Sequence, residues 1–555
     1  MRTSSFFVGL FVATAALAAP RWVRLSLPGQ AAATSIVVAW NDDAGTSGEV
    51  QFGLAGGPLD STATGVSQVA KGDLGVVHEV LITGLQPSTK YAYRVGGGGA
   101  WSAAQEFTTA PADGCEPFTF IAAGDHRSDD DFGPNPKWAS ILSEMAATGA
   151  LFIVETGDLV KDGEEISQWR NHMEMGASEM GQIALMPSFG NHDADDVTGN
   201  AAAFNQLFAL PTNASTGSED FYAFEYGHAV FVALSTATFD DAAGLAQQAQ
   251  WLDETLEAHS SKLWKFVYFH HPVHTSYVDL GFADLNHPPD ERGQNSHWVP
   301  IFDKHHVDVV FAGHNHFYER FAPMKGGQVA SSPAQGTIYV TTGGAGAFTY
   351  DEIDLFGTKI SPMDVICGEG FLGFSGKAKG SQLCSGKHHF MELTLDGGEL
   401  KAVVLATSAQ NFSDSAANVE VIDSFTIVKP MAEALCAPPV PDEEPVVVEA
   451  EADTTTTTPD GSAAAEPSAD VGGPVAEDTG AQDAGSAAAE PAGADIGLEV
   501  PTPPSPDVGP TTATADAGGG TDDDGGGCST RPGVRPAPWV LALAGVALFL
   551  RRRAR

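Results

Sequence analysis

Five short clusters carry side chains that bind cations or move protons, each beside a glycine or proline. They are Gly124-Asp125-His126-Arg127, Gly157-Asp158-Leu159-Val160-Lys161-Asp162-Gly163, Gly190-Asn191-His192-Asp193, His270-His271-Pro272 and Gly313-His314-Asn315-His316. One Gly-Asp pair or one histidine says little by itself. Together, carboxylates, an amide oxygen and imidazoles form the donor set for two cations about 3.5–4 Å apart that share one anionic ligand. His314 and His316 are two apart, so at the end of a strand they point the same way. Asn191 binds through a neutral oxygen and adds no charge against an incoming anion.

These clusters need rigid supports. Apolar segments stand at 118–122, 151–155, 229–234, 265–269 and 307–311, most of them ending in a cluster of Gly, Asp, Asn or His, with helical stretches between several of them. Strands buried on both faces belong to an α/β layered domain whose ligands bind at strand ends, expected over 115–436. The preceding stretch, 21–111, reads differently. Short β-branched or alternating segments at 22–27, 35–40, 49–52, 78–82, 91–95 and 105–109, divided by Gly, Pro and Asp turns, predict an all-β sandwich. Its Leu85-Gln86-Pro87-Ser88-Thr89-Lys90-Tyr91-Ala92-Tyr93 run resembles the tyrosine corner of a fibronectin type III domain, with Trp40 as the core tryptophan.

In this order the five clusters resemble the calcineurin-like metallophosphoesterases. The ending Gly313-His314-Asn315-His316-Phe317-Tyr318-Glu319-Arg320, with the sandwich before it, is similar to the purple acid phosphatase branch over residues 22–429. The resemblance implies a four-layer α/β sandwich of mixed sheets flanked by helices, and a pair of transition metal ions (Fe, Zn or Mn). It implies that Asp158 bridges the metals, with Asp125 and His316 on the first and Asn191, His270 and His314 on the second. A hydroxide between them would attack phosphorus, His192 would stabilise the added charge, and His274, with His287 as second candidate, would protonate the leaving group. The expected substrates are small-molecule phosphate esters. Monoesters and diesters are not separated, because that choice lies in loops such as 128–137, 193–200, 279–293 and 367–384.

Two places depart from the family pattern. Lys161 stands where purple acid phosphatases have an iron-binding tyrosine, and Arg127 stands where other members supply a histidine. The first metal therefore lacks one usual ligand, which water or His126 would replace, and no purple colour is expected. Arg127 either holds substrate phosphate in a bidentate fork or neutralises the carboxylates. The family alignment prefers His270 to His271 as ligand. His305, His306, His388 and His389 precede apolar strands and are expected at the surface or at strand edges. A rival reading makes the chain a surface adhesion or recognition protein whose phosphoesterase domain lost activity with the missing ligand.

A formal net charge of −43 argues against a nucleic-acid partner. Residues 437–527 contribute about 20 Asp and Glu and no Lys or Arg, among Pro, Ala, Thr and Gly, and predict a disordered acidic linker. Residues 1–18 read as a signal peptide, with an apolar run behind Arg2 and small residues before the cleavage point. Residues 528–555, with Cys528, a short apolar stretch and Arg551 to Arg553, resemble a myxobacterial C-terminal sorting tag or a membrane anchor. The chain is thus expected at the cell surface or secreted. Bridges Cys367–Cys384 and Cys115–Cys436 are the expected disulfides, although sequence leaves all three pairings of four cysteines open.

Overall fold

The computed structural model describes residues 19–43, 48–112, 116–128, 134–194, 201–237, 242–279, 285–350, 353–355, 358–368, 376–407 and 420–431. Each of the strand segments read from sequence becomes a strand. Most of them assemble into two large sheets whose inner faces meet on an aromatic core, while Glu49–Leu54, Lys90–Gly97 and Gln105–Thr108 belong to a separate sheet of five strands. One sheet of ten strands runs, edge to edge, Glu420–Val428, Glu399–Ala406, His389–Asp396, Phe118–Ala123, Phe152–Glu155, Ala184–Pro187, Arg21–Ser26, Ile36–Asp42, Val76–Ile82 and Val66–Val69. The other has seven strands, with Ala229–Ala233, Trp264–Phe269, Val309–Ala312 and Ile338–Thr342 parallel at its centre. Phe120 lies at the middle of the core, stacked on Phe152 at 5.4 Å and edge-on to Phe231 and Phe266 at 5.0 and 5.2 Å.

Helices cover the outer faces. Pro136–Ala147 starts with Asn135 accepting from the Lys137 N–H and a proline in its first turn, where the missing N–H costs nothing. It buries Trp138, Ile141, Leu142 and Met145, spaced on one helical face. On the far side Ala242–Ala258 and Asn295–His305 bring Leu252, Leu256, Trp298 and Phe302 against the outer face of the seven-stranded sheet. Layering of helices, two mixed sheets and helices agrees with the α/β expectation, and the all-β sandwich precedes it.

The sandwich is tied into the catalytic sheet. Arg21–Ser26 pairs parallel with Ala184–Pro187 on one side and antiparallel with Ile36–Asp42 on the other. Tyr93, 1 % exposed, donates its hydroxyl hydrogen to the Gly181 carbonyl at 2.7 Å. Within the sandwich the Tyr91 hydroxyl accepts from the Gln86 N–H at 2.9 Å, and Trp40 is fully buried against His78. Strands Ser61–Thr64 and Val66–Val69 were not legible in sequence, because their largely exposed side chains lack apolar alternation. Backbone pairing to Glu49–Leu54 and Val76–Ile82 holds them.

Cys367 and Cys384 form the expected disulfide, while Cys115 and Cys436 lie outside the described residues. So do the segments 1–18, 437–527 and 528–555. No helix among the described residues is long and apolar enough to cross a membrane. Phe120→Ala would remove the ring on which both sheets close and leave a cavity at their interface. A loss of about 3–5 kcal/mol in unfolding free energy is expected from denaturant titration.

Candidate metal centre

Parallel strands end at the same edge of a sheet, and the two sheets bring their carboxyl ends together. Asp125 follows Phe118–Ala123, Asp158 follows Phe152–Glu155, and Asn191 follows Ala184–Pro187 in one sheet. His270 and His314 follow Trp264–Phe269 and Val309–Ala312 in the other. Backbone bonds lock the turns to one another, from Asp125 N–H to Gly157 O, Arg127 N–H to Asp158 O and Gly313 N–H to His270 O, each at 2.9–3.0 Å.

The turns are sharp. Asp125, Asp158 and His314 have φ of +59°, +58° and +68°, a left-handed backbone that costs a side-chain-bearing residue about 1–2 kcal/mol. Such strain persists where surrounding contacts over-determine it. Here glycine makes the room: a Cβ at Gly190 would fall 2.1 Å from Asp158 Oδ1, and one at Gly313 would fall 2.2 Å from Asp125 Oδ2. Asp193 supplies the fastening. Its buried carboxylate accepts from the N–H groups of Asp158, Leu159, Val160 and Gly190 at 2.7–3.1 Å, joining two of the loops.

Donor atoms of Asp125, Asp158 and His270 lie within 4.8 Å of one another, all buried. His270 Nε2 is 3.3 Å from Asp158 Oδ1 and 3.1 Å from His314 Nδ1, and His316 Nε2 is 3.5 Å from Asp125 Oδ1. Each ring spends its other nitrogen elsewhere. His270 Nδ1 meets the Thr156 carbonyl at 2.8 Å, His316 Nδ1 meets the Phe348 carbonyl at 2.8 Å, and His314 Nε2 meets Glu291 Oε2 at 3.0 Å. An acceptor on the outer nitrogen fixes the N–H there and leaves the inner nitrogen with a lone pair, as metal-binding histidines require. Burial pushes His314 and His316 down to about 3, so both are neutral at pH 7. Burial also opposes charge on His270, but Asp158 and Asp125 beside it outweigh burial and raise it to about 9, so it stands protonated between the two carboxyl groups.

Asn191 Oδ1 is buried and has no hydrogen-bond partner among the described residues. An amide oxygen left bare beside two buried carboxylic groups, His270 and the lone pairs of His314 and His316 is an arrangement that cations complete. The residues present therefore fit a metal pair.

His271 differs from His270. Its Nε2 accepts from Arg292 Nε at 3.2 Å and its Nδ1 pairs with Thr236 Oγ1 at 2.7 Å, although it also stands with Glu291 and His314 in a second group of close donor atoms. His192 lies at the mouth, with a third of its side chain exposed, Nδ1 on the Lys161 carbonyl at 2.7 Å and Nε2 4.0 Å from Asp158 Oδ2. Arg127 Nε is 3.4 Å from the same oxygen.

Other histidines differ from their expected places. His274 is not part of this cluster: its ring packs on Phe321 and Tyr339, and burial pushes it down to about 4, leaving no proton to donate near neutrality. His287, half exposed, lies instead over His314 at 3.9 Å between ring centres. His126, the stand-in ligand, stacks on Trp138 and His172 at 3.7 and 5.1 Å and faces Glu155, whose carboxyl burial raises to about 8. It supports the Asp125 loop from behind. His388 and His389 are buried, not at the surface, with His389 Nε2 on Thr342 Oγ1. His305 and His306 lie at the end of helix Asn295–His305, where His305 binds Asp253.

Glu291 was not singled out by sequence, having no motif of its own. Hydrogen bonds from His287 and then His314 hold its carboxyl well below the usual range, so it is an anion between the two rings. Asp193 was quoted only as part of a cluster, and its role rests on a turn that no spacing reveals.

Two family models match. Residues 20–109 match the purple acid phosphatase N-terminal domain, and residues 118–318 match the calcineurin-like phosphoesterase domain. Human acid phosphatase type 7 is 26 % identical over 359 residues, covering 59 % of this chain and 78 % of the relative. Probable purple acid phosphatase 20 of Arabidopsis thaliana is 25 % identical over 337 residues, covering 59 % and 74 %. Among solved structures, a purple acid phosphatase from yellow lupin seeds superposes with a TM-score of 0.58 at 19 % identity, over 74 % of each chain. PhoD gives 0.55 at 14 % identity, over 74 % of this chain and 90 % of its own. With strand ends, donor set and relatives in agreement, the chain joins a stretch similar to the purple acid phosphatase N-terminal domain to one similar to the calcineurin-like phosphoesterases, and is a hydrolase acting on phosphate esters.

Proposed function

We propose that this hydrolase is an acid phosphatase-like enzyme working through two cations, held by Asp125 and His316 on one side and Asn191, His270 and His314 on the other, with Asp158 between. The bare, buried Asn191 oxygen beside the Asp125–Asp158–His270 cluster is the observation that carries this reading. Such cations supply Lewis acidity toward a phosphoryl oxygen and bring water toward a neutral pKa.

The chain's own groups do the rest. With Nδ1–H committed to the Lys161 carbonyl, His192 donates from Nε2 only when protonated, and a phosphate dianion beside it favours that form. Arg127 adds a second positive group within reach of the Asp158 carboxylate and of an anion bound above it. His287 takes the part of general acid, set by Glu291 at 3.6 Å and clamped through its backbone by Asn315. The signal-like start, acidic linker and anchor-like end support an enzyme exported to the cell surface.

Asp158→Asn should abolish turnover of a phosphate monoester and release metal from both places, measured by metal analysis of the dialysed protein. Near-normal activity would contradict the assignment. No turnover by the wild type at full metal loading would favour a surface recognition protein instead. Glu291→Ala frees the tautomer of His314 and should weaken the second metal by about 10–100-fold in a chelator competition. Glu291→Gln, which still accepts from His314, should lose less. Arg127→Ala should lower kcat/KM about 10–100-fold with metal content unchanged if the guanidinium grips phosphate. Full rescue by added metal would assign it to neutralising carboxylates.

A further inference from the structure

Phe348 stands at the rim of the metal centre with 46 % of its surface in water. Isolated exposed apolar residues are common, so exposure alone carries no meaning. The way this ring is mounted does. The Ala347 N–H donates to the Asp125 carbonyl at 2.8 Å, and the Phe348 carbonyl accepts from His316 Nδ1 at 2.8 Å. Backbone on both sides of the Phe348 Cα is thus bonded to the two residues assigned to the first metal. The ring is edge-on to His316 at 4.7 Å, and the Arg127 guanidinium carbon is 5.5 Å from its centre. Tyr350 backs the arrangement, its ring parallel to His316 at 6.2 Å and its hydroxyl donating to Asn315 Oδ1 at 3.1 Å.

The phosphoryl group of a substrate must lie over the donor cluster, near Arg127 and His192. Its alcohol portion then projects outward past the rim. A rigid aromatic ring there gains from an apolar or planar group by removing area from water and by stacking, at little cost in side-chain freedom. A polyol, already well hydrated, gains nothing comparable.

We propose that Phe348 is the contact for the alcohol portion of the ester, and that the enzyme selects phosphate esters of aromatic alcohols over those of small polyols. This deepens the function proposed above and rests on it for turnover. Two further residues share the task without contacting the alcohol: Arg127 and His316 hold the ring in place through the contacts just given.

The test compares Phe348→Ala and Phe348→Trp with the wild type, all metal-loaded. Phenyl phosphate and glycerol 2-phosphate serve as substrates, and phenylphosphonate and methylphosphonate, which are not hydrolysed, serve as binding probes in calorimetry. Chemical differences between leaving groups cancel when the ratio of the two kcat/KM values is compared across variants. That ratio should fall about tenfold in Phe348→Ala, a change of the size of one aromatic contact, and recover in Phe348→Trp. Preference for phenylphosphonate over methylphosphonate should fall in parallel. An unchanged ratio overturns the proposal. So does an equal loss on both esters, which would make Phe348 a brace for Arg127 and His316 only. If the wild type turns over neither ester, the proposed function fails, and the phosphonate preference still decides the role of Phe348 independently.

Discussion

Two carboxylates, Asp125 and Asp158, are held side by side with almost no access to water, and the rest of the centre follows from that constraint. Like charges at such a distance in a medium of low polarity repel strongly. The fold tolerates them through fixed positive and donor groups: the His314 N–H on Asp125, the His192 N–H on Asp158, Arg127 against Asp158 and His270 between them. Left-handed backbone at three positions and glycines that leave no space for a Cβ complete the cradle. An arrangement so costly to an isolated chain is what a bound cation pair would repay.

Much of this was legible in sequence, and for a physical reason. Parallel strands buried on both faces are continuous apolar runs, and a metal-binding turn at their end must be made of Gly, Asp, Asn and His, so each motif announces both its strand and its chemistry. All five clusters lie at strand ends in one place, with His270 Nε2 3.1 Å from His314 Nδ1 and 3.3 Å from Asp158 Oδ1. Less visible was anything fixed by tertiary folding. Glu291 comes from a loop with no periodicity, Asp193 works through backbone donors, and the direction of His274 depends on how the chain leaves Pro272. The edge strands Ser61–Thr64 and Val66–Val69 carry no buried face and so no pattern.

The sandwich is bound to the catalytic layers by strand pairing as well as by contact. Arg21–Ser26 is shared between Ala184–Pro187 and Ile36–Asp42, and Ala184–Pro187 is the strand that delivers Asn191. Tyr93 adds a buried hydrogen bond to the segment before that strand. A composition-based boundary near residue 111 separates textures but not the sheet. Stability of the sandwich therefore bears on the position of the Asn191 oxygen proposed as a ligand, a link that a freely tethered module would not have.

The proposed centre holds two cations with Asp158 common to both. Anomalous diffraction from crystals grown with manganese or zinc measures this directly. Two peaks about 3.5–4 Å apart are expected, one touching Asp125 and His316, the other touching Asn191, His270 and His314, with Asp158 within bonding distance of each. A single peak bound to His271, Glu291 and His314, or no peak at the Asp125–Asp158 pair, would contradict it.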